Sequence, residues 1–209
     1  EAALTPRTKG VSVVHYAGIP ADMDGIMSLA TERGLYVIED AAQAFLSKHR
    51  GRYAGTIGHF GCFSFHYTKN TVCGEGGALC VNDRAFLGAA PIVREKGTNR
   101  SDFINKKVAK YEWVGLGSSF EPCELSAAFL QAQLEDAPEC ARRRRAVCRA
   151  YRALLQPVQR SGQLTLMDGE TDGDVDGDHQ QVQGNGHIFW VLFASAGERA
   201  AAEEFVCSR

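Results

Sequence analysis

A single lysine, Lys69, stands in SFHYTKNTVCGEGG (Ser64–Gly77), between an aromatic-rich apolar run and a glycine-rich turn. Lysine is seldom buried without a partner, and its amine becomes nucleophilic when desolvation lowers its pKa. Phe63, Phe65 and Tyr67 supply an apolar surround of that kind. Asp40 directly follows the apolar run LYVIE (Leu35–Glu39). In open α/β sheets, ligand groups collect beyond the carboxyl ends of the strands. A carboxylate together with a nucleophilic lysine is the set that pyridoxal 5'-phosphate requires. The lysine forms a Schiff base with the aldehyde, and the carboxylate keeps the pyridinium nitrogen protonated so that the ring accepts electrons. Ser64 offers a hydroxyl for the cofactor phosphate, and the glycines after Lys69 allow close backbone approach. Asp40 has a second reading, as the cap of a helix over AAQAF. Spacing alone leaves both open. The GEGG turn is no P-loop, because it lacks G-x-x-x-x-G-K-[ST].

The elements that position these residues read as an α/β fold with a mostly parallel sheet flanked by helices. VSVVHY (Val11–Tyr16) predicts a strand. Met23, Ile26, Met27 and Ala30 recur at helical spacing, with Asp22 as N-cap and Gly34 as stop. LYVIE predicts a strand buried on both faces. HFGCFSFH (His59–His66) and GALCVN (Gly77–Asn82) predict two more, flanking Lys69. RAFLGAAPIVREKG predicts a weak helix interrupted by Pro91, and REKGTNRSDF (Arg94–Phe103) a polar loop. CELSAAFLQAQLE (Cys123–Glu135) predicts a strong helix. Asp136, Pro138 and Glu139 read as a capping-box restart, leading into a second helix through ARRRRAVCRAYRALL. A polar loop at 168–186 precedes the strand HIFWVLFA (His187–Ala194) and a helix over GERAAAEEFV. Residues 1–155 read as part of a ligand-binding large domain, and 156–209 as the start of a smaller one.

Composition excludes several classes. Of 209 residues, 44% are hydrophobic and 23% charged, with a net charge of −2 and both signs interspersed, as in a soluble globular domain without an electrostatic case for nucleic acid or membrane. The arginines 142–145 therefore read as a solvated helix face. No window is apolar over the roughly 18 residues of a membrane span. Seven cysteines, an odd number without a C-x-x-C pair, argue against a disulfide framework and a zinc site and for a reducing cytoplasm. Asp172, Asp174, Asp176 and Gly177 match the start of an EF-hand loop, but Gln183 takes the place of the bidentate glutamate, so the segment reads as a solvated loop and no metal is expected. His15, His59 and His66 lie at strand ends without metal-ligand spacing and read as structural or supporting residues. Cys62 and Cys73 read as packing. Tyr16, at a strand end, is open between packing and substrate contact.

The segments VIEDAAQ, GTIGHFGCFSFHYTKN and GEGGALCVND together resemble the DegT/DnrJ/EryC1/StrS sugar aminotransferases, fold-type I enzymes that use pyridoxal 5'-phosphate. VHYAGIPADMDGIMSLA, REKGTNRSDF, KYEWVGLGSS and AAFLQAQLE resemble one branch, the dTDP-4-amino-4,6-dideoxygalactose transaminases of enterobacterial common antigen synthesis. The resemblance implies that Lys69 is catalytic and covalently holds the cofactor. It implies that Asp40 binds the pyridinium nitrogen, Gln43 the phenolic oxygen and Ser64 the phosphate, and that Ser119 reaches the phosphate of the partner subunit's cofactor. It places His187 on the substrate side. It further implies L-glutamate as amino donor, a dTDP-4-keto-6-deoxyhexose as acceptor, and a homodimer. Relatives that dehydrate sugars carry histidine in place of Lys69, so the lysine favours amino transfer. Glu121 and Pro122 depart from the family's arginine and methionine. Against the family's length, the N-terminal part is expected to be missing and the C-terminal small domain truncated. A catalytically inactive remnant acting as an association module is the alternative reading.

Overall fold

The computed structural model describes residues 1–167 and 182–208. Strands β1 (Gly10–Val14), β2 (Tyr36–Asp40), β5 (Phe60–Ser64) and β6 (Gly77–Val81) form the main sheet in the order β1-β2-β5-β6. The first three are parallel and β6 is antiparallel to β5. Val14, Asp40 and Cys62 are register partners, so the carboxyl ends of the three parallel strands lie side by side. A small sheet joins β3 (Lys48–His49), β4 (Arg52–Tyr53) and β8 (Val182–Gln183) in the order β4-β3-β8.

Helix α1 (Met23–Arg33) forms as its sequence requires. Asp22 accepts the Gly25 amide at 3.3 Å, and Gly34 ends the helix at φ 62° in the left-handed region, where glycine is favoured. Met23 and Ala30 of α1 pack with Leu35, Val37 and Ile57 into the main core cluster. Strand β2 departs from the expected burial on both faces. Val37 and Glu39 are fully buried, whereas Tyr36 and Ile38 are 46% and 41% exposed. The alternation has a simple cause: α1 packs on β2 from the side of Val37, and the opposite side chains keep their solvent contact.

Three other expectations are corrected. The Asp136–Glu139 restart does not occur: α4 is one helix from Glu124 to Arg160, with Pro138 and Pro157 inside it. Ala137 and Ala141, one turn apart around Pro138, are both buried, and such packing outweighs the hydrogen bond that proline removes. The polar segment at 94–103 contains short helices at both ends: α2 (Ala89–Arg94) takes Pro91 into its first turn, and α3 is Arg100–Ile104. The Phe103 amide closes the first turn of α3 on the Asn99 carbonyl at 3.2 Å, and its ring meets Tyr111. The run at 187–194 yields only β9 (Val191–Phe193), since its partner β7 (Leu164–Leu166) offers three residues to pair with. Helix α5 (Ala196–Cys207) follows, capped by Ser195. The EF-hand-like residues Asp172, Asp174, Asp176 and Gly177 lie outside the described residues. Among the described residues no helix is long and apolar enough to cross a membrane.

Candidate active site

The carboxyl edge of the main sheet gathers the residues that the sequence singles out. Asp40 is the last residue of β2 and Ser64 the last of β5, and Lys69 lies in the turn that follows β5. Tyr16 opens the single 3-10 turn after β1 and is 62% exposed, so its ring packs against little in this chain. No helix follows Asp40. Its Oδ1 accepts the Ala42 amide at 3.1 Å in a turn, which leaves Oδ2 without a partner among the described residues. Gln43 follows in the same turn. Its Oε1 accepts the Ala17 amide at 2.6 Å, which fixes the orientation of the side-chain amide and leaves Nε2 to donate elsewhere. Ser64 Oγ accepts the His66 amide at 3.3 Å, leaving its hydroxyl proton free to donate. Lys69 is half-buried. Its backbone amide donates to the His66 carbonyl at 2.9 Å, and Nζ has no partner among the described residues.

His187 reaches this edge from the C-terminal segment. Its Nδ1 lies 3.0 Å from Oδ1 of Asn70, the residue after Lys69. Burial pushes the His187 imidazole pKa down, and the Lys69 and Arg144 charges push it further the same way. Ser119 is not brought to this set. It sits in an exposed segment, bridged antiparallel to Glu95, with no described hydrogen bond to Asp40, Gln43, Ser64 or Lys69.

Sequence reasoning missed the residues that hold the segment of His187 in place. Asn185 is 1% exposed and all of its side-chain polar atoms are engaged. Its Nδ2 donates to the carbonyls of Gln43 and Phe45 at 2.8 and 2.9 Å, and its Oδ1 accepts the His187 amide at 3.0 Å. Asn70 Nδ2 donates to the Asn185 carbonyl at 3.4 Å. Arg144 of α4 donates to the carbonyls of Gly186 and His187, both at 2.9 Å, which corrects the reading of the arginine run as wholly solvated. Its neighbours Arg142 and Arg143 do lie on the surface, paired with Glu139, whose pKa they lower to about 2. The one local signal was Asn185 standing between two glycines just before His187.

Gly18 closes the same junction at φ +83°, and a Cβ there would clash with Asn185 Oδ1. Gly18→Ala is expected to destabilise the fold by at least the ~1–2 kcal/mol of a left-handed alanine, read as a lowered denaturation midpoint. Because the clash is with Asn185 itself, Asn185→Ala added to Gly18→Ala should cost less than it does alone, and a strictly additive double-mutant cycle would refute the contact.

The chain matches the DegT/DnrJ/EryC1/StrS aminotransferase family over residues 1–183. It is 34% identical over 161 residues to the spore coat polysaccharide biosynthesis protein SpsC of Bacillus subtilis, covering 76% of this chain and 41% of that one. It is 35% identical over 153 residues to the GDP-perosamine synthase of Escherichia coli O157:H7, covering 73% and 40%. Among solved structures, the aminotransferase TlmJ from Streptoalloteichus hindustanus superimposes with a TM-score of 0.81 at 28% identity, over 99% of this chain and 52% of that one. DesV from S. venezuelae superimposes with a TM-score of 0.78 at 30% identity, over 98% and 50%. The fold is thus that of the fold-type I enzymes dependent on pyridoxal 5'-phosphate. Within that class the protein belongs to the DegT/DnrJ/EryC1/StrS aminotransferase family, whose cofactor is pyridoxal 5'-phosphate. The chain spans about two-fifths of the length of these curated relatives.

Proposed function

We propose that the protein transfers an amino group from L-glutamate to the 4-keto carbon of a dTDP-4-keto-6-deoxyhexose in the cytoplasm, with Lys69 as the catalytic residue. The observation that carries this reading is the set of polar atoms at one sheet edge that have no partner among the described residues: Asp40 Oδ2, Gln43 Nε2, the Ser64 hydroxyl proton and Lys69 Nζ. Their chemistry fits the cofactor: a carboxylate for the ring nitrogen, an amide donor for the phenolic oxygen, a hydroxyl for the phosphate and an amine for the aldehyde. When bound, pyridoxal 5'-phosphate supplies that aldehyde and a ring that takes up the electrons of a broken C–H bond.

The chain's own groups do the rest. Asp40 holds its charge towards the ring nitrogen. Gln43 is pre-oriented by Ala17, so no rotamer search precedes its hydrogen bond. Lys69 Nζ moves the proton in both halves of the transfer, one that takes the amine from glutamate and one that delivers it to the sugar. His187 and Tyr16 face the substrate. The dTDP-linked sugar follows from the motifs that resemble the dTDP-4-amino-4,6-dideoxygalactose branch, and the GDP-perosamine synthase relative makes a GDP-linked sugar the control substrate. A homodimer belongs to the same reading. Trp113 and Leu116, which precede Ser119, are 78% and 93% exposed, an arm suited to carry Ser119 to the partner's cofactor.

The test mixes the purified chain with pyridoxal 5'-phosphate, reduces with borohydride and maps the adduct by peptide mass spectrometry. The expected result is one labelled peptide carrying Lys69. Labelling spread over surface lysines, or none, would favour the inactive association module.

A further inference from the structure

Asn70 bonds two groups at once, and one of them permits a single orientation of its amide. The Asn185 carbonyl only accepts, so it must face Nδ2, at 3.4 Å. The Asn70 oxygen then faces His187 Nδ1 at 3.0 Å. An oxygen without a proton accepts only, so the hydrogen between them sits on the ring nitrogen. His187 Nε2 has no partner among the described residues. The ring cannot turn freely to exchange the two nitrogens. Its backbone is held by Arg144 Nη2 on the carbonyl at 2.9 Å and by Asn185 Oδ1 on the amide at 3.0 Å.

We infer that Asn70 is a positioning residue that holds His187 in the Nδ1–H tautomer, so that Nε2 stands beside the Lys69 turn as an unprotonated hydrogen-bond acceptor. Among the described residues, the charged groups whose field reaches His187 are both cations, Lys69 from the turn after β5 and Arg144 from α4, and they act with burial against the charged form of the ring. A neutral acceptor suits a hydroxyl of a sugar and does not suit a diphosphate, which would require an imidazolium or another cation. This assignment of a hydroxyl partner rests on the proposed sugar substrate; the tautomer itself does not. It also explains why an asparagine follows Lys69. The same two-residue turn carries the reactive amine and the group that sets the proton on the neighbouring ring.

Nitrogen-15 NMR of the ring-labelled full chain reads the tautomer directly, without cofactor and without turnover. The expected spectrum shows a protonated Nδ1 and a bare Nε2, with a titration midpoint below that of an ordinary histidine. Asn70→Asp places a carboxylate on Nδ1 and should raise that midpoint by about 1 to 3 pH units, the effect of an opposite charge in contact. Inorganic pyrophosphate, added to the unsubstituted chain, should leave the midpoint in place. A protonated Nε2 in the unsubstituted chain, an unmoved midpoint in Asn70→Asp, or a midpoint raised by pyrophosphate would each overturn the inference. Asn70→Ala removes the acceptor without adding a charge and should let both neutral tautomers appear, whereas a purely structural Asn70 would change the denaturation midpoint of that variant and not its tautomer ratio. The borohydride experiment above is independent: failure to label Lys69 removes the sugar hydroxyl as partner and leaves the tautomer standing.

Discussion

Lys69→Ala yields no borohydride-stable adduct with pyridoxal 5'-phosphate at this turn, and amino transfer falls by about 10²–10⁴-fold, the contribution of a positioned proton-transferring side chain. Both roles proposed for the amine are removed together, the covalent hold on the cofactor and the proton shuttle, so the loss should lie at the upper end of that range. Lys69→Arg separates chemistry from charge. The guanidinium keeps the positive field on His187, but it stays protonated at any working pH and forms no imine. It should therefore lose the adduct and the activity as completely as alanine does, while the His187 titration stays close to that of the unsubstituted chain. Transfer by Lys69→Arg within a few-fold of the unsubstituted protein would show that position 69 supplies only a charge, and the proposed role of Lys69 would fall. The readout is single-turnover consumption of the cofactor's visible band with glutamate, which needs no acceptor sugar.

The residues at the sheet edge were legible because each ends or follows an apolar run: Asp40 after LYVIE, Ser64 and Lys69 after the aromatic strand. A period-2 run that stops at a polar residue marks a strand end, and strand ends are where α/β folds place their chemistry. The unbroken course of α4 was not legible. Local signals at Asp136, Pro138 and Glu139 argue for a break, and only the burial of Ala137 and Ala141 against other elements overrides them. Nor was the Asn70–Asn185–Arg144 staple legible. It ties residues up to 142 positions apart through single side-chain hydrogen bonds, which leave no periodicity in the sequence. Glu39 was hidden for another reason. It reads as the polar end of LYVIE, yet it is fully buried, and three of its four hydrogen-bond partners are backbone amides that carry no side-chain signature.

Glu39→Gln, though nearly isosteric, should destabilise the protein by about 2–6 kcal/mol, from two buried donors left unpaired at ~1–3 kcal/mol each. The reason lies in the pattern of donors. Oε2 accepts from His15 Nε2 at 2.9 Å and from the Gly55 amide at 2.8 Å. Oε1 accepts from the amides of Ile57 and Gly58 at 2.7 and 2.6 Å. A glutamine in either orientation turns its NH2 group towards two donors. His15 cannot relieve the conflict by moving its proton, because its Nδ1 already accepts the Ala21 amide at 3.1 Å. A loss of that size is a large share of the ~5–15 kcal/mol by which domains are stable. The consequence reaches the site: the turn at 55–58 that Glu39 anchors leads into β5, which carries Ser64 and delivers Lys69. Burial alone pushes the Glu39 carboxyl up, but the His15 ring and the Gly58, Gly55 and Ile57 amides outweigh it and hold the pKa below the usual value. Such a depressed group stabilises the fold fully above its unfolded pKa of about 4.3 and loses that contribution as pH falls through the folded value. Glutamine does not titrate. The stability gap between the unsubstituted chain and Glu39→Gln should therefore be widest near about pH 7 and narrow below about pH 4. Urea unfolding at the two pH values measures it, and a gap that stays constant, or is absent at neutral pH, would show that this buried carboxylate does not anchor the turn.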